Sequence, residues 1–200
     1  DFVLALALRA RLRVELGDGP GAIDDAARAL KHAPTADLFN VRGNAHLLDG
    51  HPELAGPDFD RAARLDAGVA LYPFNRARAR LELGQYPESI DDATRAIELD
   101  PGEPRPYHTR GLARRGMGDL EGAIEDFGHA IERDPGYAVA LASRGQARAD
   151  LAGTRDRERL LEAAEADLTH ALEAGGPAWT YRESVEGLLA EIRTRRRDGR

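Results

Sequence analysis

The stretch AIELDPGE at residues 96–103 returns almost unchanged as AIERDPGY at residues 130–137. The two copies place Pro101 and Pro135 34 residues apart. Self-similarity with a period of about 20 to 50 residues is typical of repeat architectures, in which each copy is one supersecondary unit. This stretch therefore decides the fold class before any helix or strand is assigned.

The same period extends outward in both directions. A small residue recurs in the first half of each unit at Ala10, Gly43, Ala77, Gly111 and Gly145, and an alanine recurs in the second half at Ala29, Ala62, Ala96, Ala130 and Ala171. Each unit reads as a helix, a glycine-containing turn, a second helix, and a Pro or Gly stop. The small residues allow two helices to approach closely, and we expect Phe39, Phe59, Tyr107 and Phe127 to fill the space between them. The fifth unit carries extra residues, which we expect in an enlarged turn at GTRDRERL, residues 153–160.

This pattern resembles the tetratricopeptide repeat (TPR) family over about residues 3–177. The shared features are the period, the small residue of the first helix, the alanines of the second helix and the closing Pro. The resemblance implies an all-α fold: a right-handed α-solenoid of five helix-turn-helix repeats followed by a C-terminal capping helix. The predicted repeats are 3–35, 36–69, 70–103, 104–137 and 138–177, with the capping helix at 178–196, all in a single solenoid domain spanning 1–200. Ala67 and Gly176 depart from the family pattern, which usually has Pro there.

The two ends of the chain differ from the middle. Val185, Leu188, Leu189 and Ile192 follow the spacing of an amphipathic helix, which suits a cap. The first helix instead carries leucines that cannot all lie on one stripe, at Leu4, Leu6, Leu8, Leu12 and Leu16. We expect a further element to cover it and the chain to be a segment of a larger protein. The basic tail (Arg193, Arg195, Arg196, Arg197 and Arg200) is interpreted as a solvated linker.

Composition excludes several classes of function. The formal net charge of −7 argues against a nucleic-acid binder, because that role depends on a basic surface. No apolar run is long enough to cross a bilayer, and the absence of cysteine excludes disulfides and thiolate metal sites. These features favour a cytoplasmic protein. Lys31 is the only lysine among 28 basic residues, and this arginine bias favours a bacterial source.

Two opposite charges keep the period of the repeat. An arginine precedes the small residue of each first helix, at Arg9, Arg42, Arg76, Arg110 and Arg144, and an aspartate holds one place in each second helix, at Asp25, Asp58, Asp92, Asp126 and Asp167. A semi-buried charge needs a partner, so we expect at least three of these arginines to lie within hydrogen-bond distance of the periodic aspartates of their own or the neighbouring repeat. The alternative is a ladder of arginines that faces a ligand.

Signals for catalysis are sparse. The six histidines show no metal-ligand spacing, and the glycine-rich stretch GDGPGAIDD at residues 17–25 lacks the strand and the lysine of a phosphate loop. No nucleophile motif occurs. We therefore expect no enzyme activity, no cofactor and no metal.

The resemblance implies that ligands bind on the concave side, which the first helices line. The side chains expected there for peptide binding are Asn40, Asn44, Phe74, Asn75, Arg78, Arg105 and His108. Some members of the family hold the C-terminal carboxylates of chaperone tails with a clamp of Lys, Asn and Arg. Only Asn44, Asn75 and Arg105 match that pattern, whereas Asn40 and Thr109 depart from it, so a solvated polar groove is favoured over a clamp.

The leading interpretation is a protein-interaction scaffold that binds a protein or peptide segment. The alternative is a regulatory or spacer segment of a larger multidomain enzyme, such as a bacterial signalling kinase. Self-association through the ends of the repeat array is a third class. Because one fold hosts many ligands, the sequence does not identify the partner.

Overall fold

The computed structural model describes residues 2–153 and 156–198, and every regular element in these ranges is an α-helix. The helices are α1 (Phe2–Glu15), α2 (Gly19–Leu30), α3 (Ala36–Leu48), α4 (Pro52–Leu65), α5 (Leu71–Glu82), α6 (Tyr86–Leu99), α7 (Pro104–Gly116), α8 (Leu120–Arg133), α9 (Ala138–Leu151), α10 (Arg157–Gly175) and α11 (Arg182–Asp198). The predicted fold class, five helical hairpins followed by a C-terminal helix, is confirmed.

A glycine in a left-handed conformation ends the first helix of four hairpins. Gly17, Gly50, Gly84 and Gly118 have φ values of 81°, 77°, 69° and 84°. Residues with a Cβ rarely adopt this conformation, so glycine allows the chain to reverse within a few residues. In two hairpins an aspartate then caps the second helix, because the side chains of Asp18 and Asp119 accept from the backbone N–H groups of Gly21 and Gly122.

The chain forms two compact units, residues 1–101 and residues 102–200. In the first unit, α3 packs against both helices of the first hairpin, and α5 packs against α3 and α4. Its core consists of small clusters rather than one large centre. One cluster joins Ala10, Ala26 and Val41, and another joins Ala55, Phe59 and Ala79. Alanines at these contacts let helix backbones approach closely, as the sequence pattern predicts.

The second unit has a larger apolar centre. Leu141, Leu161 and Leu168 of the fifth hairpin pack with Val185, Leu189 and Ile192 of α11. The predicted apolar stripe of α11 is therefore confirmed, and its helix covers the outer side of α10. The helix begins at Arg182, four residues later than the predicted start of the cap.

Where the two helices of a hairpin meet, the sizes of the facing residues are matched. A Cβ added to Gly43 would lie 2.6 Å from the ring of Phe59, and one added to Gly111 would lie 2.6 Å from the ring of Phe127. Where the first helix has alanine instead, the opposite residue is also alanine, in the pairs Ala10 with Ala26 and Ala77 with Ala93. Glycine is thus required where the second helix presents a phenylalanine.

The extra length of the fifth unit lies partly in a helix. Helix α10 has 19 residues, whereas α4, α6 and α8 have 14 each. Of the stretch expected to form an enlarged turn, residues 157–160 belong to α10, and residues 154 and 155 lie outside the described residues. The prediction of a turn is therefore wrong for the second half of this stretch.

Helix α1 leaves several of its large apolar side chains exposed. Leu6 and Ala10 are buried against the rest of the first unit, whereas Leu4, Leu8, Leu12 and Leu16 are more than half exposed. As the sequence predicts, the leucines of this segment do not all lie on one face, because Leu6 is buried and the other four are exposed. Within the described ranges, no helix combines the length and apolarity that crossing a bilayer would need.

Candidate functional site

The structure places all five periodic arginines within hydrogen-bond distance of the periodic aspartates. Each guanidinium binds its carboxylate through Nε and Nη2, as in Arg9 with Asp25, where both distances are 2.6 Å. The same two-point contact joins Arg42 to Asp58, Arg76 to Asp92, Arg110 to Asp126 and Arg144 to Asp167. Both partners belong to the same hairpin in every case, so each pair braces a first helix to its own second helix.

A second cation reaches four of these aspartates. It lies one helical turn after the periodic arginine, and its Nη1 contacts the carboxylate from the other side: Arg13 on Asp25, Arg80 on Asp92, Arg114 on Asp126 and Arg148 on Asp167, at 2.6 to 3.0 Å. Sequence reasoning missed this cation, although it keeps the spacing of the repeat and was therefore visible. Its Nη1 also donates to a backbone carbonyl in the second helix, at Gly21, Glu88, Gly122 and Ala163.

The second hairpin is the exception, because His46 stands where the others have the second arginine. Its Nε2 is 3.9 Å from the Asp58 carboxylate, too far for a hydrogen bond. Its Nδ1 is buried and has no hydrogen-bond partner. Burial lowers the pKa of His46, and the nearby Asp58 opposes that shift only in part. Asp58 therefore has one firm cationic partner where the other aspartates have two.

The electrostatics of the arginine–aspartate pairs suit a structural role, in which each pair braces the two helices of a hairpin. The hydrogen bond from Arg9 is the main cause that lowers the pKa of Asp25, and burial of the carboxylate works against it. All five aspartates are buried, so they offer no surface to a ligand. A buried carboxylate that binds guanidinium groups of the facing helix holds both helices in register.

The first helices of the first unit carry part of the expected peptide-binding set. Asn75 Nδ2 donates to Asn40 Oδ1 at 2.8 Å, and both side chains are buried. Phe74 is also buried. Asn40 and Asn75 thus join the neighbouring first helices α3 and α5, and the burial of all three side chains leaves little surface for a peptide. The assignment of these three residues to peptide binding stays a prediction.

Three other side chains form a row along this face. Arg11, Asn44 and Arg78 hold equivalent positions on α1, α3 and α5, one residue after the small residue of each helix. Arg11 pairs with Asp37, and Asn44 Nδ2 donates to the backbone carbonyl of Asn40. Arg78 lies 5.9 Å from the centre of the Phe74 ring, and within the described ranges no carboxylate pairs with it. We call Arg11, Asn44 and Arg78 the polar row.

In the second unit the two expected peptide-binding residues have partners. His108 is buried, its Nε2 is 3.0 Å from Ser143 Oγ, and its ring lies against Phe127 and Tyr137. Burial lowers the pKa of His108 to about 4, so the ring is neutral near pH 7. Arg105 is exposed and pairs with Glu103. The grouping of Arg105 with Asn44 and Asn75 as a carboxylate clamp stays a prediction.

The basic tail differs from a solvated linker. Its residues 193–197 belong to α11, and Arg193 and Arg196 both bind Glu165 of α10. Arg195 donates to the backbone carbonyl of Ala149, and Arg200 lies outside the described residues. The prediction of a linker is wrong for Arg193, Arg195 and Arg196, because they anchor α11 to the fifth hairpin.

A metal-binding arrangement has no counterpart in the part of the chain that the structure describes. No three histidine, aspartate or glutamate side chains there converge as metal ligands would. The displaced pKa values of Asp25, His46 and His108 follow from ion pairing or burial, which explains them without a reaction.

Comparisons with known proteins agree with this geometry. A family model described as tetratricopeptide repeat matches residues 8–70, and a second model of the same description matches residues 104–137. A comparison with curated protein sequences gives no match.

Solved structures share the fold. MamA protein is 25% identical, with a TM-score of 0.71 over 87% of this chain and 92% of that chain. The second TPR domain of human RPAP3, solved with the HSP70 peptide SGPTIEEVD, is 31% identical, with a TM-score of 0.54 over 56% of this chain and 98% of that chain. YrrB, described as a TPR protein with an unusual peptide-binding site, is 21% identical, with a TM-score of 0.66 over 84% and 89% of the two chains, and shows the fold alone.

Repeat period, paired helices and family models lead to one assignment. The 34-residue spacing of Pro101 and Pro135 coincides with the ends of successive hairpins, and both matching models describe the same repeat. The chain belongs to the tetratricopeptide repeat family.

Proposed function

We propose that the protein is an interaction scaffold without catalytic activity of its own. It holds an extended peptide segment of a partner protein against the polar row, on the first helices of the first unit. The ligand is acidic, and one of its carboxylates binds Arg78.

The observation that carries this proposal is the polar row. Its three members recur at one position on α1, α3 and α5, and neighbouring packed helices lie about 8 to 10 Å apart. An extended peptide advances about 3.3 Å per residue, so three residues span one step of the row. The row therefore suits contact with every third residue of an extended chain.

The charges in the row favour an acidic residue at one end. Arg11 is already paired with Asp37, whereas Arg78 is a guanidinium with no carboxylate partner in the described ranges. A free guanidinium binds a carboxylate through two parallel hydrogen bonds. The net charge of −7 opposes an acidic ligand only at long range, because physiological salt screens charges beyond about 8 Å.

Similar structures support a peptide as the class of ligand. The human RPAP3 domain was solved with a peptide that ends in EEVD, an acidic segment. The braces of the present chain hold its first helices firmly, which would limit the entropy lost when a peptide binds. The proposal thus rests on a rigid surface with one available cation.

A defined peptide library tests the proposal. The protein is immobilised and used to select from random dodecapeptides displayed on phage, and the enriched peptides are titrated by calorimetry. We expect acidic peptides, with affinity at least tenfold weaker for Arg78→Gln, because the lost guanidinium leaves a carboxylate unpaired. Asn44→Ala should weaken binding about threefold.

The matched control is Arg64→Gln, which removes an exposed arginine from a second helix. It should bind the selected peptides as the unchanged protein does. Failure to enrich any peptide, or enrichment of peptides that bind Arg78→Gln equally well, would count against the proposed site.

A further inference from the structure

An open groove lies where α4 of the second hairpin meets α5 of the third. Its volume is about 540 Å³, which falls in the range of ligand-binding pockets. The apolar part of its wall includes Gly56 of α4 together with Ala79 and Leu83 of α5. We call this space the α4–α5 groove.

The groove lies at a position where other hairpins carry a large apolar side chain. The second helices of three other hairpins have isoleucine at the place equivalent to Gly56, namely Ile23, Ile90 and Ile124. All three isoleucines are partly buried. Apart from the backbone of its own helix, a Cβ added to Gly56 would meet no atom of the described residues within 4 Å. The space that an isoleucine would occupy is therefore open.

The equivalent contact in the second unit shows which side chain fits such a space. There, Ile124 packs against a buried cluster of three residues, Ala123, Phe127 and Ala147. The same cluster in the first unit consists of Ala55, Phe59 and Ala79. Gly56 adds no side chain to this cluster, so the α4–α5 groove has the walls that hold an aliphatic side chain elsewhere in the chain.

Two residues that weaken a helix stand side by side at this groove. Glycine loses more backbone entropy than other residues when a helix forms, and proline has no N–H group for the helical hydrogen bond. Pro57 follows Gly56 inside α4, so the carbonyl of Glu53, four residues earlier, lacks its helical donor. Departures of this kind from local helix preference are typical of functional sites.

The charges of the groove leave one carboxylate without an arginine. Arg76 and Arg80, the two cations of the wall, are already bound to aspartates of the chain. Glu53 also lines the groove and contacts His51 at 3.1 Å, and none of the arginines in the described part of the chain pairs with it. Its carboxylate and its backbone carbonyl can therefore both accept hydrogen bonds from a lysine or arginine of a ligand.

The groove is separate from the polar row. Arg76, Ala79, Arg80 and Leu83 share one face of α5, because residues three and four apart lie on the same side of a helix. Arg78 lies about 100° or more around the helix from each of them. A ligand in the groove therefore does not depend on the polar row, and the two sites can be tested independently.

We propose that the α4–α5 groove is a second protein-binding site. Its ligand is a segment of a partner protein that inserts one isoleucine, leucine or valine side chain over Gly56 and places a lysine or arginine on Glu53. The inserted side chain takes the place that Ile124 holds in the fourth hairpin. One buried aliphatic side chain and one ion pair give a moderate affinity, with a dissociation constant on the order of 100 µM.

Differential selection from a peptide library tests this proposal. Random dodecapeptides displayed on phage are selected on the Arg78→Gln protein, which lacks the cation proposed to bind ligands at the polar row. The library is first depleted on protein that carries both Arg78→Gln and Gly56→Ile, in which the added isoleucine fills the groove. We expect the enriched peptides to carry an aliphatic residue close to a lysine or arginine.

Calorimetry then compares the enriched peptides on single variants of the whole chain. Gly56→Ile should bind them at least tenfold more weakly, and Glu53→Gln about threefold more weakly. Gly187→Ile is the matched control, since Gly187 is an exposed glycine of α11 with the same open surroundings, and it should bind as the unchanged protein does. Circular dichroism melting should show Gly56→Ile to be at least as stable as the unchanged protein, because an aliphatic side chain in the groove replaces a helical glycine.

Nuclear magnetic resonance locates the bound peptide on the unchanged protein. During titration the amide signals of Ala79 and Leu83 should shift, and those of Arg11 and Asn44 should stay in place. The proposal would be overturned by a selection that enriches no peptide, by peptides that bind Gly56→Ile as tightly as the unchanged protein, or by signals of Ala79 and Leu83 that do not move. A lower melting temperature of Gly56→Ile would also overturn it, because the groove would then have no room for an aliphatic side chain.

Discussion

At the scale of single residues, the histidine in the second hairpin marks a missing contact. His46 replaces the second arginine of the brace, and its Nδ1 is buried without a partner. We expect His46→Arg to raise the free energy of unfolding by about 1 kcal/mol, because it restores a charge-assisted bond to Asp58 and a donor for the second helix. Urea unfolding followed by circular dichroism measures the change.

The control for this substitution is His51→Arg, which adds an arginine to an exposed position nearby. Exposed ion pairs contribute little, so its effect should stay within about 0.5 kcal/mol. If His46→Arg lowered the urea midpoint, the site beside Asp58 would have no room for a guanidinium, and the equivalence of the five braces would be wrong.

A second residue makes stability depend on pH. His108 is buried with a pKa of about 4, so the folded chain resists its protonation, whereas the unfolded chain binds the proton near pH 6.5. As the pH falls from about 6.5 to about 4, the unfolded state binds more protons, and the free energy of unfolding decreases. The full loss from this residue is about 3 kcal/mol, since one pKa unit corresponds to about 1.4 kcal/mol.

Replacing His108 and its partner Ser143 with asparagines isolates this effect. The pair would then copy Asn40 and Asn75, which occupy the same positions in the first unit and share a hydrogen bond. Urea unfolding between pH 4.5 and 7 should show a smaller decrease with acidification for the double variant. An unchanged decrease would mean that other groups cause the acid sensitivity.

The periodicity of the sequence predicted the contact between the first arginine and the aspartate of each brace. It did not predict the burial of the residues expected to bind a peptide. Arg9 and Asp25 keep the repeat period, and a semi-buried charge needs a partner, so their contact follows from sequence. Whether the partner belonged to the same or the neighbouring repeat was settled only by helix packing. The burial of Asn40 and Asn75 was missed for the same reason, because they meet 35 residues apart on different helices.

At the scale of helices, the size match within each hairpin gives the clearest prediction. Gly111→Ala should cost about 2 kcal/mol, because the new Cβ would lie 2.6 Å from the Phe127 ring. In a Phe127→Ala background the same change should be neutral or stabilising, because the pair then copies Ala77 and Ala93. A double-mutant cycle from denaturant unfolding should thus give a coupling energy of about 2 kcal/mol.

Gly128→Ala is the control on the same pair of helices. A Cβ there would meet only Arg144 at 3.8 Å, an ordinary contact, so alanine should stabilise α8 by about 0.5 to 1 kcal/mol. Additive effects of Gly111→Ala and Phe127→Ala would show that the glycine is not retained for the ring.

The positions of most helices were predictable because their sequence signals are local. The start of the second helix in the fifth hairpin was not predicted correctly. The glycines at residues 17, 50, 84 and 118 fix each reversal through their backbone conformation, so the turns follow from the sequence. The charged stretch at residues 153–160 has no glycine after Gly153, and its second half, residues 157–160, consists of good helix formers that make the first turn of α10. Reading the insertion as a turn ignored that propensity.

At the scale of the whole molecule, stability should be a sum of neighbouring contacts, because the units of repeat proteins pack mainly against their neighbours. Helix α11 supplies Val185, Leu189 and Ile192 to the core around Leu161 and Leu168. A chain that ends at Gly176 lacks these side chains and exposes apolar surface of α10. We therefore expect truncation after Gly176 to destabilise α9 and α10 strongly and to leave α1 to α6 unaffected.

Hydrogen exchange measured by mass spectrometry resolves this by segment. Peptides from residues 138–175 should exchange at least tenfold faster in the truncated chain, because each 1.4 kcal/mol of lost local stability gives a tenfold change. Peptides from residues 19–99 should exchange at unchanged rates. Ile192→Ala, which removes one fully buried side chain of α11, should give a smaller change in the same segment. Faster exchange throughout residues 19–99 would show instead that the chain unfolds as one cooperative body, and α11 would then stabilise every hairpin rather than only the one that it covers.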